Sequence, residues 1–385
     1  MPKRRSSGID RSPKRWRQHL YLVFDDSLRG YSIRKIDLSS DFDSDDSEEQ
    51  QHPHATILGA GAELHLPPAV LRLEAPRGLP HYFAAAFGTR IMAMHPMKLG
   101  TDGKVCLMSK LLVPIFDVRT RGVIFGPRHK EDLADPIYIP VRDRLFALAS
   151  GSFEQLWPPP LEHPGGEHWV WAWHELPEPP FERQQITSYA VHPDGRTIIV
   201  STAESGGAVA ATFALDTEAP DFVWKRLGKW VLPFTGSSHF DGELDAFVGL
   251  SKDTDTLGYL CSCDTAGSDT GEGHCPPPAW KLSKEKLFGD DRGEKHEGAT
   301  LLYLGGKSRF CLVQFISIQD GCLDEEVQEE DVPGARRNLL RLTIFSLSYD
   351  KNGDLTTGKS RRVRYYKVPK ASTEFLLKKP VAFWL

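Results

Sequence analysis

Long apolar runs are missing from this 385-residue chain, and no stretch approaches the roughly 20 residues that span a bilayer as a helix. The opening residues, MPKRRSSGIDRSPKRWRQ, carry no apolar core that would engage the export machinery. Cysteine is sparse, with six residues (Cys106, Cys261, Cys263, Cys275, Cys311 and Cys322), and without a leader these imply reduced thiols in the cytoplasm or nucleus. Helix-period patterning is nearly absent; Leu282 to Phe288 (LSKEKLF) is the one tempting segment, and it is short. No Gly-x-Ser-x-Gly elbow, phosphate-binding glycine loop or His-Glu-x-x-His pair occurs, so the familiar catalytic templates fail. The net charge of −5 is mild and argues neither for nor against a charged partner.

What is present is a chain of short apolar runs. Hydrophobic residues make up 40% and charged residues 26%, enough to bury a core, and 28 prolines and 33 glycines punctuate the chain throughout. The stretch from Thr187 to Gly236 shows the unit most clearly. An apolar run ends at His192-Pro193-Asp194-Gly195, a second run follows, and a third ends in Asp216-Thr217 before Trp224 and Trp230. This is the outline of four antiparallel strands.

Weaker copies recur at a spacing of roughly 45 residues, the period of propeller blades. Ile115 to Thr120 echoes Phe213 to Thr217, with Phe345 to Asp350 a looser copy. A turn with a basic residue opens a short strand at Arg90, Arg144, Arg196 and Arg309. Trp171 and Trp173 precede Leu176-Pro177 as Trp224 and Trp230 precede Leu232-Pro233. A lone four-stranded sheet has two faces to bury, whereas a radial array of such sheets buries them on each other. The expectation is an all-β propeller with five clear units from His81 onward. A sixth is completed by the strands at 20–38 and 69–75, with N- and C-terminal strands pairing to close the ring.

The expected organisation is a disordered basic arm over 1–18 and a propeller over 19–385. Acidic, solvated loops fall at 39–54 and 323–336. In the arm, Lys3, Arg4 and Arg5 with Lys14, Arg15 and Arg17 form two basic clusters that read as a bipartite nuclear-import signal; the competing reading is a solvated tail or an Arg- and Ser-rich transit segment. Serines among the acids of 39–49 offer acidophilic phosphorylation sites, although a plain surface loop is preferred.

Three groups of residues carry candidate chemistry. Cys261, Cys263, His274 and Cys275 include four zinc-type ligands, but Cys-x-Cys on a strand holds its side chains about 6.6 Å apart, wide for two sulfurs on one ion. Small buried thiols are the preferred reading, and no metal or other cofactor is expected. His239, Asp241, Glu243 and Asp245 alternate along an apparent strand, either as an acid–base face or, as preferred, as its solvent side. Lys359 to Lys367 (KSRRVRYYK) interleaves basic residues with tyrosines, a weak nucleic-acid signal better read as a charged, aggregation-resistant edge strand.

The strings LYLVFDDSLRGYSIRKIDL, DPIYIPVRDRLFALASGSFEQLWPPP, SYAVHPDGRTIIVST, FDGELDAFVGL, GYLCSCD and AWKLSKEKLF resemble a cereal-grass group, domain-of-unknown-function family 1668, and more broadly the kelch-type propellers of plants. The resemblance covers about residues 20 to 350. It implies a kelch-like propeller without established chemistry, although no unit carries a clean Gly-Gly doublet followed by the spaced Tyr and Trp of a strict kelch repeat. No F-box-like helical segment stands before residue 20, so a ubiquitin-ligase adaptor role does not carry over. The functional expectation is a non-enzymatic protein-interaction module, monomeric, with an unidentified protein partner and neither membrane nor nucleic acid. The alternative is a propeller enzyme acting on a sugar or small acid through channel-mouth carboxylates.

Overall fold

The computed structural model describes residues 17–27, 30–39, 63–75, 82–94, 113–131, 133–159, 170–205, 207, 209–265, 275–289, 294–319, 336–369 and 374–385. Apart from α1 (Glu374–Lys378) and short 3-10 turns, the regular structure of these residues is β. The first sheet takes β1 (Leu20–Ser27), β2 (Gly30–Ile36) and β3 (Ala69–Leu73). The second holds β4 (Tyr82–Ala86), β5 (Arg90–Met94), β6 (Val113–Asp117) and β7 (Val123–Gly126). The third holds β8 (Ile137–Val141), β9 (Arg144–Ala149), β10 (Ser152–Leu156) and β11 (His174–Glu175). The fourth is β12 (Ile186–Val191), β13 (Thr197–Thr202), β14 (Ala211–Asp216) and β15 (Lys225–Gly228). The fifth is β16 (Gly236–Asp241), β17 (Ala246–Leu250), β18 (Leu260–Asp264) and β19 (Trp280–Leu282). In the sixth, β20 (Glu294–Gly305), β21 (Arg309–Gln319) and β22 (Arg336–Ser346) are followed by the small hairpin β23 (Ser348–Tyr349) and β24 (Leu355–Thr356). The outer strand β25 (Arg362–Lys367) completes it.

The last strand, β26 (Ala382–Trp384), returns to the first sheet and pairs antiparallel with β1, Leu20 opposite Trp384 and Leu22 opposite Ala382. His19 and Leu385 extend this seam with reciprocal backbone hydrogen bonds of 2.7 and 3.1 Å. Terminal strands therefore close one sheet together, the closure expected from the sequence. Sheets four and five are joined where β12 and β16 pair in parallel, Ser188 opposite Gly236, which marks the first strand of each unit as the one nearest the axis.

The packing follows from the composition of each strand. Middle strands are buried on both faces: Arg144–Ala149 is buried at every position, and Thr197–Thr202 at all but the first. A continuous apolar run, not an alternating one, suits a strand covered from both sides. Six apolar clusters join neighbouring sheets in turn. Tyr21 and Ile33 meet Ile91 and Phe116; Ile115 meets Leu145 and Trp173; Phe153 meets Val200 and Trp224. Ile199 meets Phe247, Val248 meets Leu312, and Val313 meets Leu22, which returns to the first sheet. This closed radial order defines a β-propeller architecture. Trp173 and Trp224 lie in the seams, as expected of their large apolar area.

Turn chemistry explains the repeated Asp and Arg positions. Asp117 Oδ1 accepts from the amides of Arg119 and Thr120, and its carboxylate lies 3.6 Å from Arg90. Asp216 repeats this with the Glu218 amide and Arg196, also at 3.6 Å. Arg144 instead crosses to the next sheet, donating to Thr217 O at 2.9 Å and pairing with Glu218. The tempting segment at 282–288 forms no helix: Leu282 ends β19 and Ser283 bridges to Leu355.

Candidate interaction edge

Each four-stranded unit ends in an outermost strand, and among the described residues five of the six carry charge there. These are β3 with Arg72, β11 with Glu175, β15 with Lys225 and Arg226, β19 with Lys281, and β25 with Arg362, Arg364 and Lys367. An open edge is a template for adventitious strand pairing, and charge is the usual defence. The exception is β7, whose sequence Val-Ile-Phe-Gly has none. Val123, Ile124 and Phe125 are 37%, 39% and 59% exposed, and among the described residues only β6 pairs with this strand.

The apolar surface continues beyond the strand. At Gly126 a side chain would meet the Trp171 ring, and Trp171 Nε1 donates to Trp157 O at 2.8 Å. Trp157 is 44% exposed and Val170 73%, so the shelf runs from sheet two onto the end of sheet three. The guanidinium of Arg144 sits 4.7 Å from the Trp157 ring centre and fixes that side chain. Arg119 and Arg121, both exposed, precede β7, and exposed Lys130 follows it, 3.5 Å from Glu175. The sequence marks GVIFGPR as a strand. Its place as an outer edge is set by the order of the sheet, which no local pattern encodes.

The candidates singled out from sequence separate in space. Cys261 and Cys263 share one face of β18 and are buried against Ala190, Phe234 and Phe247. Burial pushes their thiols up to about 11 and about 12, so both are neutral and poor ligands as they stand. Cys275 lies instead against the outer strand of sheet four, its amide bonded to Leu227 O and its carbonyl accepting from Trp230 Nε1. His274 is outside the described residues, as are Lys3, Arg4, Arg5, Lys14 and Arg15; Arg17 is exposed. The described residues contain no group of three or more His, Cys, Asp or Glu arranged to hold a metal ion. Most of the loops at 39–54 and 323–336 also lie outside the described residues.

The 239–245 group is not one strand face. Asp241 ends β16, and Glu243 and Asp245 sit in the turn before β17. Asp241 is not solvent-facing either; it is fully buried and accepts from the amides of Glu243 and Leu244 and from Ser308 Oγ at 2.8–2.9 Å. Glu243 accepts from the Lys307 amide. The two carboxylates therefore tie the β16–β17 turn to the β20–β21 turn of the next sheet. His239 bonds Leu301 O at 3.0 Å, and burial lowers its pKa, which favours the neutral ring. The basic segment at 359–367 is likewise internal in its bonding. Arg361 donates to Lys286 O and Leu287 O, Arg364 donates to Asp37 O, and Leu64 bridges to Tyr366 across the edge.

Residues 17–366 match the model of the family described as protein of unknown function (DUF1668), and the chain belongs to that family. No curated protein matches it. Among solved structures it is similar to the β-propeller domain of Cps50 (Swd1) from Myceliophteria thermophila at 13% identity, covering 45% of this chain with a TM-score of 0.27. The chain spans 50% of that domain's length. It is similar to hydrazine synthase of Kuenenia stuttgartiensis at 12% identity, covering 78% of this chain and 68% of the other, with a TM-score of 0.32. A protein from Lactobacillus plantarum is 9% identical, with 91% and 99% covered and a TM-score of 0.40. These likenesses are loose, and the architecture stands on the strand order and seams described above. None of the helices among the described residues is long and apolar enough to cross a membrane.

Proposed function

We propose that this protein is a six-bladed, kelch-like propeller of plant type that works as a monomeric protein-interaction module, without catalysis, in the cytoplasm or nucleus. Six four-stranded units with six apolar seams support the blade count. The docking reading is carried by one observation: among the described residues, β7 alone of the outer strands is uncharged, exposed and apolar. A partner segment adding a strand there would satisfy the edge's backbone groups and cover Phe125 and Ile124 on alternate faces. The competing enzymatic reading relies on the carboxylates at 241 and 243, and both are engaged in holding turns.

The test is affinity capture from native tissue with the wild-type chain, a Val123→Lys/Phe125→Lys variant, a control substituted on β25 (Arg362→Gln/Arg364→Gln), and a version lacking residues 1–18. The docking reading expects a stoichiometric partner kept by the β25 control and lost from the β7 variant. Equal recovery by the β7 variant, or a blank with the wild type, would count against it. The deletion reports separately on the basic arm.

A further inference from the structure

The surroundings of β7 say what kind of strand covers it. The segment from Val118 to Lys130, VRTRGVIFGPRHK, contains four basic residues and no acid. Arg119 and Arg121 stand exposed in the turn before the strand, and Lys130 stands exposed beyond its far end. Cations therefore flank the apolar edge on both sides. In neighbouring turns, basic side chains have acids to meet. Arg90 lies 3.6 Å from Asp117, Arg142 lies 3.7 Å from Glu218, and Arg196 lies 3.6 Å from Asp216. Lys130 has Glu175 at 3.5 Å. Among the described residues, the guanidiniums of Arg119 and Arg121 have no such acid.

The turn itself explains why. Asp117 is the acid nearest to them in the chain, and its carboxylate is already engaged. Its Oδ1 accepts from the amides of Arg119 and Thr120 at 2.9 and 3.1 Å, and its Oδ2 faces Arg90. Its backbone closes the loop, Asp117 O accepting from the Arg121 amide at 2.8 Å and its own amide donating to Gly122 O at 2.9 Å. Arg121 sits at φ +59°, in the left-handed region that ordinarily falls to Gly or Asn. A tight turn thus holds two cations without counter-charge at the mouth of an open edge.

This distribution separates two kinds of occupant. A second copy, paired edge to edge, would bring its own Arg119, Arg121 and Lys130 against these, and like charges across a strand pair are destabilising. Flanking charges of one sign are the usual guard of an apolar strand against copies of itself. A segment with acids at its ends and β-branched or aromatic residues between them finds a cation at the ends and apolar surface in the middle. We infer that the occupant of β7 is an extended, acid-flanked segment of another protein, added to sheet two as a fifth strand. The inference rests on the reading of β7 as a docking edge and names the chemistry of the partner. Backbone pairing holds the segment, and Arg119 and Arg121 select its sign and speed its arrival.

The experiment is fluorescence anisotropy on the full chain with a labelled peptide, Glu-Glu-Val-Thr-Val-Thr-Val-Glu-Glu. One counterpart carries lysine in place of every glutamate, and another carries proline at the central valine, which removes a ladder donor. Val123→Ser/Phe125→Ser strips the apolar side chains and keeps the charges. Arg119→Gln/Arg121→Asn removes the charges and gives the left-handed position a residue suited to it. The expected result is saturable binding of the acidic peptide that declines with salt. Arg119→Gln/Arg121→Asn should weaken it about threefold or more, and the serine variant, the lysine exchange and the proline about tenfold or more. Equal binding of the glutamate and lysine peptides, both lost from the serine variant, would keep the docking edge and overturn the acidic class. Acidic binding that survives in the serine variant would be attraction without the edge, and would overturn the inference too. Absence of acidic-peptide binding overturns it outright. A wild-type dimer in light scattering, broken in the serine variant, would give the edge to a second copy instead.

Discussion

Sheets two and six solve the same problem in opposite ways. The edge of sheet six carries Arg362, Arg364 and Lys367, and the segment around Leu64 lies along part of it, with Leu64 donating to Tyr365 O at 2.8 Å and accepting from Lys367 at 3.0 Å. Glu63 adds ion pairs to Arg337 and Lys367. Sheet two ends at β7 with three exposed apolar side chains and, among the described residues, no second pairing. The interiors invert the pattern: sheet six buries a Glu–Arg pair and extends β20 to 12 residues, whereas sheet two is short and its seams are apolar. Charge inside a seam fixes geometry, and charge on an edge prevents association. An apolar interior with an apolar edge leaves the edge available.

That comparison can be broken at its strongest point first. Arg341→Ala removes the guanidinium paired with the buried Glu294 carboxylate and should destabilise the protein by about 3–5 kcal/mol in urea unfolding, as for other buried pairs. The double replacement Glu294→Leu/Arg341→Met should recover most of that loss. Failure to recover would mean that the pair does more than satisfy itself. No substitution on β7 should approach this size.

Removing the hydrogen-bond hub at Asp241, by Asp241→Ala, should cost about 1–3 kcal/mol, since three donors lose their acceptor. Thermal unfolding would register it; a neutral result would show the turn of sheet five to be independent of sheet six.

Acid should act on sheet six before sheet two. His296 titrates at about 4 when folded against an ordinary 6.5, so between those values the unfolded chain binds more protons. Stability from this ring is complete above pH 6.5 and falls as pH drops toward 4; buried His239, also lowered, acts in the same sense. His296→Gln should flatten the stability profile across that window, measured by urea midpoints at successive pH values. An unchanged profile would place the loss elsewhere.

The smallest stability effect, within about 0.5 kcal/mol, is expected for Val123→Lys/Phe125→Lys on the exposed edge. Its consequence should appear in association only, as lost partner capture with an unchanged monomer mass by light scattering. The reverse change on β25, Arg362→Ile/Arg364→Val, should raise self-association. If it does not, the cover provided by Leu64 is guarding that edge and charge is secondary.

Much of the strand layout was readable from residue order, for local reasons. Thr197–Thr202 is rich in β-branched residues and bounded by Asp194-Gly195, and Asp194 Oδ1 accepts from Arg196 and Thr197 as turn chemistry anticipates. The recurring Arg and Asp proved to be partners in sheets two and four. Other features escaped. Glu294 to His296 is polar in sequence and nevertheless starts β20, because β21 reaches far enough to pair with it. The 239–245 group looks like an alternating face, yet Asp241 turns inward at a strand end to serve the next sheet. The groove beside Asp255, Phe288, His296 and Arg341 has no local signature, since its lining comes from segments distant in the chain.

What the sequence determined by itself was the kind of structure: short apolar strands, turns set by Asp, Gly and Arg, and tryptophans for seams. These properties depend on neighbours within a few residues and on a hydrophobic pattern that survives in one dimension. Tertiary structure alone decided which outer strand stays bare, where the Glu294–Arg341 pair is buried, and which side chains line one groove. Each of those depends on contacts between sheets distant in the chain, where exposure and local charge are properties of the assembled ring and of no single segment.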